Sequence, residues 1–237
     1  MITAEVVYKY KVTVNKLDSQ DFIDLPLPTI LDILNKTILG YTDAIYGINN
    51  LFRQGVESFQ RRIDDLEALV VNDLPNITYI SAGNNIFTGA LPDNYLHLLR
   101  SYSLATKDLC VDRALRNIQY SHDELNDILV SKDPYKYPSF EWQELPINIS
   151  SGKIFGYTDG TFTCTELHIE YLKTPTQIDL AGYVHLDGSA SANVNSELPD
   201  YLLEDIITLA ALHTKAIIGD TEGYKLLSAD LAKNRNL

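Results

Sequence analysis

The chain has 237 residues, of which 45% are hydrophobic and 22% charged, and its formal net charge at pH 7 is -13. These proportions are typical of a folded protein with a sizeable core and exclude a disordered chain. The acidic excess lacks the basic surface with which proteins bind phosphates, so it argues against sequence-specific recognition of DNA or RNA.

Cysteine use and the absence of targeting segments predict a protein synthesised in the cytoplasm. Cys110 and Cys164 have no metal-ligand spacing, so we expect free, buried thiols of a reducing compartment. The first residues do not have the pattern of a signal peptide, and no stretch reaches the roughly 20 apolar residues of a membrane span. The 15 tyrosines predict many half-buried rings, as in sheets and at protein–protein contacts.

The N-terminal third is predicted to hold one strand and two helices. Residues 3–14 alternate in polarity, which predicts a strand or an extended arm that pairs with a neighbouring subunit. A helix is predicted from Pro28, with Thr29 and Asp32 as its capping pair. Its apolar stripe contains Ile30, Leu31, Leu34, Ile38, Tyr41 and Ile45. After a break at 47–50, a second amphipathic helix is predicted to continue to Val70.

The middle of the chain is predicted to be rich in strands, with short helical interruptions. A strand is expected at Ile77–Ile80, and Pro92 indicates a helical turn over 91–99. Ser121 and Glu124 form a capping box at the start of a short helix. Three further strands are expected at 147–149, 153–157 and 161–172.

The last two of these strands are predicted to form a hairpin. Its turn is expected at Asp159-Gly160. Leu167, Ile169 and Tyr171 alternate with His168 and Glu170, which predicts one buried and one exposed face. Lys173-Thr174-Pro175 is expected to end the strand, because proline cannot donate to a ladder.

Helical periodicity returns between Ser196 and Gly219. Ser196, Glu197 and Pro199 indicate its start, and Gly219 indicates its end. The predicted buried stripe contains Leu202, Ile206, Leu209, Ala210, His213 and Ile217. A final short helix is expected over 221–233.

These elements predict an α+β protein with a single domain over 1–237. A helical core, made by the two N-terminal helices and the C-terminal helix, would occupy about 20–72 and 196–237. A β-rich insertion would occupy about 75–183. This order of elements allows the helices to bury their apolar stripes against each other.

No group of residues predicts a catalytic, cofactor or metal site. His97, His122, His168, His185 and His213 show no zinc-binding spacing. His168 and Glu170 could be a ligand pair in isolation, although a structural role at the edge of the core fits better. The acid pairs Asp64-Asp65 and Glu204-Asp205 lie on polar helix faces, where solvated carboxylates are expected.

Several stretches in order resemble one family of virion proteins. They are Leu34-Asn35, Phe59–Leu69, Leu91–Leu99, Asp133–Ser139, Leu167–Leu180 and Glu197–Ala210. Together they are similar to head-to-tail connector or tail-ring proteins of tailed phages that infect gut Bacteroidota, including the crAss-like phages. The similarity covers about 20–225, and the loop 181–195 is where this chain is expected to differ.

The resemblance implies a non-enzymatic virion subunit, assembled in the bacterial cytoplasm, with no catalytic, cofactor or metal residues. Its partners would be further copies of itself in a closed ring of about twelve, the portal protein and neighbouring tail proteins. Genomic DNA would pass transiently through the channel, and an acidic lining would let it slide. Two alternatives remain: another virion part, such as a tail-hub or head-completion protein, and, more remotely, an acid–base hydrolase.

Overall fold

The computed structural model describes residues 1–15, 25–46, 65–80, 85–131 and 135–235, with side chains described up to residue 229. These residues form five helices and one eight-stranded sheet, which confirms the α+β class. The chain divides into two compact units, residues 1–69 with 175–237 and residues 70–174. We call them the helical unit and the sheet unit.

The helices are α1 (Thr3–Asn15), α2 (Leu27–Tyr46), α3 (His122–Ser131), α4 (Asp200–Ile218) and α5 (Thr221–Arg235). The strands are β1 (Val70–Asp73), β2 (Ile77–Tyr79), β3 (Ile86–Ala90), β4 (Tyr95–Lys107), β5 (Cys110–Gln119), β6 (Glu144–Ser150), β7 (Lys153–Tyr157) and β8 (Thr163–Lys173). Most of the predicted second helix lies outside the described residues. Its expected last residue, Val70, instead begins β1 after a short 3-10 turn at Glu67–Leu69.

The prediction of a strand over 3–14 is wrong, because these residues form α1. Val6, Val7, Tyr10 and Val14 are buried and share one helical face. α1 packs on α4, where the Tyr10 and Thr214 hydroxyls form a buried hydrogen bond. The residue pattern in this short stretch is compatible with either period, and burial against α4 favours the helix.

The helix predicted from Pro28 is confirmed as α2, but its capping pair is wrong. α2 begins at Leu27, and the Thr29 and Ile30 amides donate to the Pro26 carbonyl at 3.0 and 3.2 Å. The Asp32 carboxylate instead forms an exposed ion pair with Lys36. α2 contacts α4 through the predicted apolar stripe, of which Ile30, Leu31, Leu34 and Ile38 are buried and Tyr41 and Ile45 half-buried.

The predicted C-terminal helices are confirmed as α4 and α5. Gly219 ends α4 with a φ of +82°, and its amide donates to the Ala216 carbonyl. The predicted stripe is partly wrong, since His213 and Ile217 are exposed. The buried residues are Leu202, Leu203, Ile206, Ile207, Ala210, Ala211, Leu212, Thr214 and Lys215. This face is wider than one stripe because α4 contacts α1, α2 and α5.

The sheet has the order β1-β8-β4-β5-β6-β7-β3-β2. All neighbours are antiparallel except β5 and β6, and α3 lies in the connection that their parallel pairing requires. The Ser121–Glu124 capping box starts α3 as predicted, with the Glu124 amide 3.4 Å from the Ser121 hydroxyl. The strands predicted at 77–80, 147–149, 153–157 and 161–172 are confirmed as β2, β6, β7 and β8.

Two predictions in the sheet unit are wrong. Residues 91–99 are not helical, because β4 begins at Tyr95 and pairs with β8. Asp159-Gly160 is not a hairpin turn, since β7 pairs with β6 and β3. The hairpin turn lies instead at Ser151-Gly152, between β6 and β7, where both residues have positive φ.

The sheet curls around its own core. The Tyr79 hydroxyl, on edge strand β2, donates to the Cys164 carbonyl of β8 at 3.1 Å. Cys164 is buried, and burial raises the pKa of its thiol to about 12. Cys110 is exposed, so the prediction of two buried thiols is wrong for this residue. The core contains Phe87, Ala105, Leu115, Phe140, Leu145, Ile147, Ile154, Phe162, Cys164, Leu167, Ile169 and Tyr171. The buried face predicted for β8 is therefore confirmed.

Candidate functional site

His168 and Glu170 lie on the outer face of β8, but each has a different partner. The His168 ring stacks on Tyr102 of β4, with ring centroids 4.4 Å apart and planes within 6°. Its Nε2 is 3.0 Å from the Glu166 carboxylate. Glu170 instead pairs with Arg100 at 3.2 Å. His168 and Glu170, which the sequence suggested as a possible ligand pair, are thus each in contact with different side chains.

A cavity of about 340 Å³ adjoins these residues. It is lined by Asn72, Asp73, Leu74, Arg100, Tyr102, His168, Ile169 and Glu170. Among the residues that the structure describes, no three His, Cys, Asp or Glu side chains are grouped to hold a metal ion. The cavity combines hydrogen-bonding groups, the stacked Tyr102–His168 pair and the apolar side chains of Leu74 and Ile169.

A larger cleft opens where β4 and β5 diverge. Tyr102 and Arg116 form the last register pair of the two strands, beyond which β4 pairs with β8 and β5 with β6. The cleft has a volume of about 590 Å³. The Arg116 and Tyr120 amides donate to the Gln143 and Ile147 carbonyls, on the side of β5 that faces β6. Because backbone groups alternate along a strand, those of Gln119 face the other side, toward the cleft.

Arg116 is the distinctive charge of the cleft. It lines the cavity and is exposed to solvent. Within the described part of the chain, its guanidinium has no ion-pair partner, whereas Arg100 on the opposite wall is paired with Glu170. An exposed guanidinium at the rim of a cleft is suited to binding a carboxylate.

The only tryptophan of the chain, Trp142, directly precedes a residue that lines the cleft. Gln143 lines the cleft, and the preceding Trp142 is 76% exposed. Its turn is held by a 3.2 Å bond from the Trp142 amide to the Ser139 hydroxyl and by a 2.6 Å ion pair between Lys107 and Glu141. The hydrogen bond from Lys107 lowers the pKa of Glu141. The indole is thus presented to solvent from an ordered turn.

The acid pairs of the sequence take part in ordinary surface contacts. Asp65 accepts a hydrogen bond from the Tyr201 hydroxyl, while Asp64 lies outside the described residues. Glu204 pairs with Lys9, and Asp205 accepts from the Tyr41 hydroxyl at 3.5 Å. The three described carboxylates, Asp65, Glu204 and Asp205, are thus each engaged with a Tyr or Lys side chain.

The loop 179–194 is organised around Asp179, a residue that the sequence did not single out as central to the loop. Its Oδ1 accepts from the Tyr183 hydroxyl at 2.7 Å and the Leu180 amide at 2.8 Å. Its Oδ2 accepts from the Ala192 amide at 2.9 Å and lies 3.1 Å from His185 Nε2. Desolvation by burial raises the pKa of Asp179, but these hydrogen bonds outweigh it and lower the pKa overall. The loop therefore has a defined shape.

The tip of this loop projects an uncovered apolar side chain. Leu186 exposes its whole side chain, and Asp187 next to it is also exposed. The turn is closed by hydrogen bonds between the backbones of His185, Gly188 and Ser189 at 2.9 and 3.0 Å. We call Leu186 and Asp187 the loop tip. The sequence predicted that the loop 181–195 differs from the family that the chain resembles, but it did not indicate the loop tip.

Comparison with protein-family models and with curated proteins gave no match for the chain. In the described part of the chain, no helix is both long and apolar enough to cross a lipid bilayer.

Proposed function

We propose that the chain is a structural virion subunit that forms a closed ring in the head-to-tail connector of a tailed phage. In this proposal the helical unit is the core of the subunit, and the sheet unit is an insertion in that core. The ring, of about twelve copies, lies below the portal and lines part of the DNA passage. The subunit catalyses no reaction.

The observation that carries the proposal is that ordered turns of both units expose large apolar side chains. Leu109 and Trp142, 99% and 76% exposed, belong to the sheet unit. Leu186 belongs to the helical unit and is fully exposed. Aromatic side chains are enriched at protein–protein interfaces, and a ring requires two different contact surfaces on each subunit, which exposed apolar side chains in both units can supply.

The acidic charge fits a DNA passage better than a DNA-binding surface. A net charge of -13 repels phosphates, so DNA would move past the ring without being retained. The ordered motifs that resemble connector proteins supply the location below the portal.

Native mass spectrometry and electron microscopy of the purified chain, alone and with portal protein, test the proposal. We expect closed rings, and we expect Trp142→Ser to weaken their assembly. Lys153→Ser, an exposed substitution at the start of β7, serves as the control that leaves assembly unchanged. A chain that stays monomeric at high concentration with portal present would contradict the proposal.

Two alternatives lead to different results. A tail-hub or head-completion protein would occupy another level of the particle, which cryo-EM of the virion distinguishes. A hydrolase that uses His168 and Glu170 would lose a measurable activity in His168→Ala and Glu170→Ala. Because each residue is engaged with a different neighbour, we expect both variants to assemble normally.

A further inference from the structure

We propose that the loop tip of one copy docks into the β4–β5 cleft of the next copy in the ring. This inference rests on the proposed self-assembly and specifies one of its contacts. The loop tip belongs to the helical unit and the cleft to the sheet unit, so donor and acceptor are different surfaces. Such a head-to-tail contact closes into a ring when its rotation permits.

The loop tip has the properties of an inserting group. Leu186 exposes its entire side chain, so docking removes a full leucine's apolar surface from water. The Asp179 hydrogen bonds and the closed turn already fix the loop, which reduces the entropy lost on docking. The Oδ1 atom of Asp187 accepts from the Ser189 amide and hydroxyl, while its Oδ2 has no hydrogen bond within the described residues.

The cleft offers a matching set of groups. Its volume of about 590 Å³ is sufficient for a leucine side chain, and Leu99 and Ile147 contribute apolar atoms to its lining. Arg116, which has no ion-pair partner among the described residues, provides a cation for the Oδ2 atom of Asp187.

The overall charge makes this pairing selective. Copies with a net charge of -13 repel each other, so a contact between copies needs a local cation opposite an acid. Arg116 and Asp187 supply these two charges.

Disulfide trapping tests the contact directly. In a Cys110→Ser background, copies with Leu186→Cys are mixed with copies with Gln119→Cys under mild oxidation. We expect a disulfide-linked dimer that forms only in this mixture. Each variant alone and a mixture in which Val130→Cys, exposed on α3, replaces Gln119→Cys are the controls.

Charge reversal provides the second arm. Arg116→Glu or Asp187→Arg alone should raise the protein concentration needed for half-maximal assembly by roughly tenfold, and the double variant should restore it. If the wild-type chain forms rings but neither the cross-link nor the charge rescue is observed, the docking is wrong and the proposed function is unaffected. A specific cross-link without closed rings would support the docking and contradict the ring. A monomeric chain without the cross-link would overturn both.

Discussion

The ring of Phe87 on β3 covers the backbone of Gly156, its register partner on β7. A Cβ atom added at Gly156 would overlap the Phe87 ring, which is fully buried in the core of the sheet unit. Glycine in a strand marks such a close approach, and a neighbouring aromatic ring compensates for the missing side chain. The contact joins two strands that are far apart in sequence.

Gly156→Ala should destabilise the sheet unit by about 1–3 kcal/mol, because the added methyl group forces the Phe87 ring out of its position. Urea denaturation monitored by circular dichroism measures the change. Gly40→Ala is the control, since Gly40 lies in α2 and a methyl group there would enter open space. It should stabilise by about 0.5–1 kcal/mol. Equal and small effects of the two substitutions would contradict the Phe87 contact.

An ion pair between Lys215 and Asp220 stabilises the junction between α4 and α5. The buried Lys215 ammonium is 2.7 Å from Asp220, whose other oxygen accepts from the Gly223 amide at 2.8 Å. Asp220→Ala should cost about 2–4 kcal/mol, because it leaves a buried charge without its partner and removes a cap. Lys215→Met should cost less, since it removes the charge itself.

A double-mutant cycle measured by thermal and urea denaturation checks this prediction. The Asp220→Ala change should be less costly in the Lys215→Met background than in the wild type. Additive effects of the two substitutions would show that the ion pair does not couple the helices.

The sequence predicted elements whose pattern and burial agree. α2, α4 and β8 each have one dominant period, and the structure confirms all three elements, although two residues of the stripe predicted for α4 are exposed. The strand prediction for α1 is wrong because the buried face of this helix is determined by contact with α4. The contact residue Thr214 lies 204 residues from Tyr10 in sequence. Local pattern cannot contain that information.

Neither the strand pairing nor the candidate cleft could be predicted, because both depend on contacts between residues that are far apart in sequence. Asp159-Gly160 has the composition of a hairpin turn, yet β8 pairs with β4 and β1 instead of β7. The cleft exists only because β4 and β5 take different partners beyond Tyr102 and Arg116. No spacing in the sequence indicates such a divergence, so Arg116 could not be recognised as a cleft residue before the register was known.

Tyr10 tests the helical assignment of the N-terminus. Its ring is 1% exposed and its hydroxyl bonds with Thr214 of α4, while Tyr8, two residues earlier, is 68% exposed. Tyr10→Ala should cost about 3–5 kcal/mol, the usual effect of deleting a buried aromatic side chain. Tyr8→Ala should change the free energy of unfolding by less than about 0.5 kcal/mol. Comparable losses at both positions, measured by urea denaturation, would contradict the buried face of α1.

Asp179 should make the loop 179–194 sensitive to acid. Its pKa is lowered in the folded state, so its contribution to stability is present above the ordinary value of 3.8 and is lost as the pH falls through the lower folded pKa. Hydrogen-exchange protection of the Leu180 and Ala192 amides should therefore be constant between about pH 5 and 7 and decrease below about pH 4. Asp179→Asn should reduce this protection by roughly tenfold at pH 6 and remove its acid dependence.

Asp187 provides the matched control for this loop. Hydrogen bonds from Ser189 lower the pKa of Asp187 too, but its carboxylate binds only the local turn. Asp187→Asn should therefore preserve the protection of Leu180 and Ala192 and its loss in acid. If Asp187→Asn abolished the acid transition and Asp179→Asn preserved it, the loop would be organised by its tip. We expect Asp179 to control the transition, because its single carboxylate makes four contacts that connect both sides of the loop.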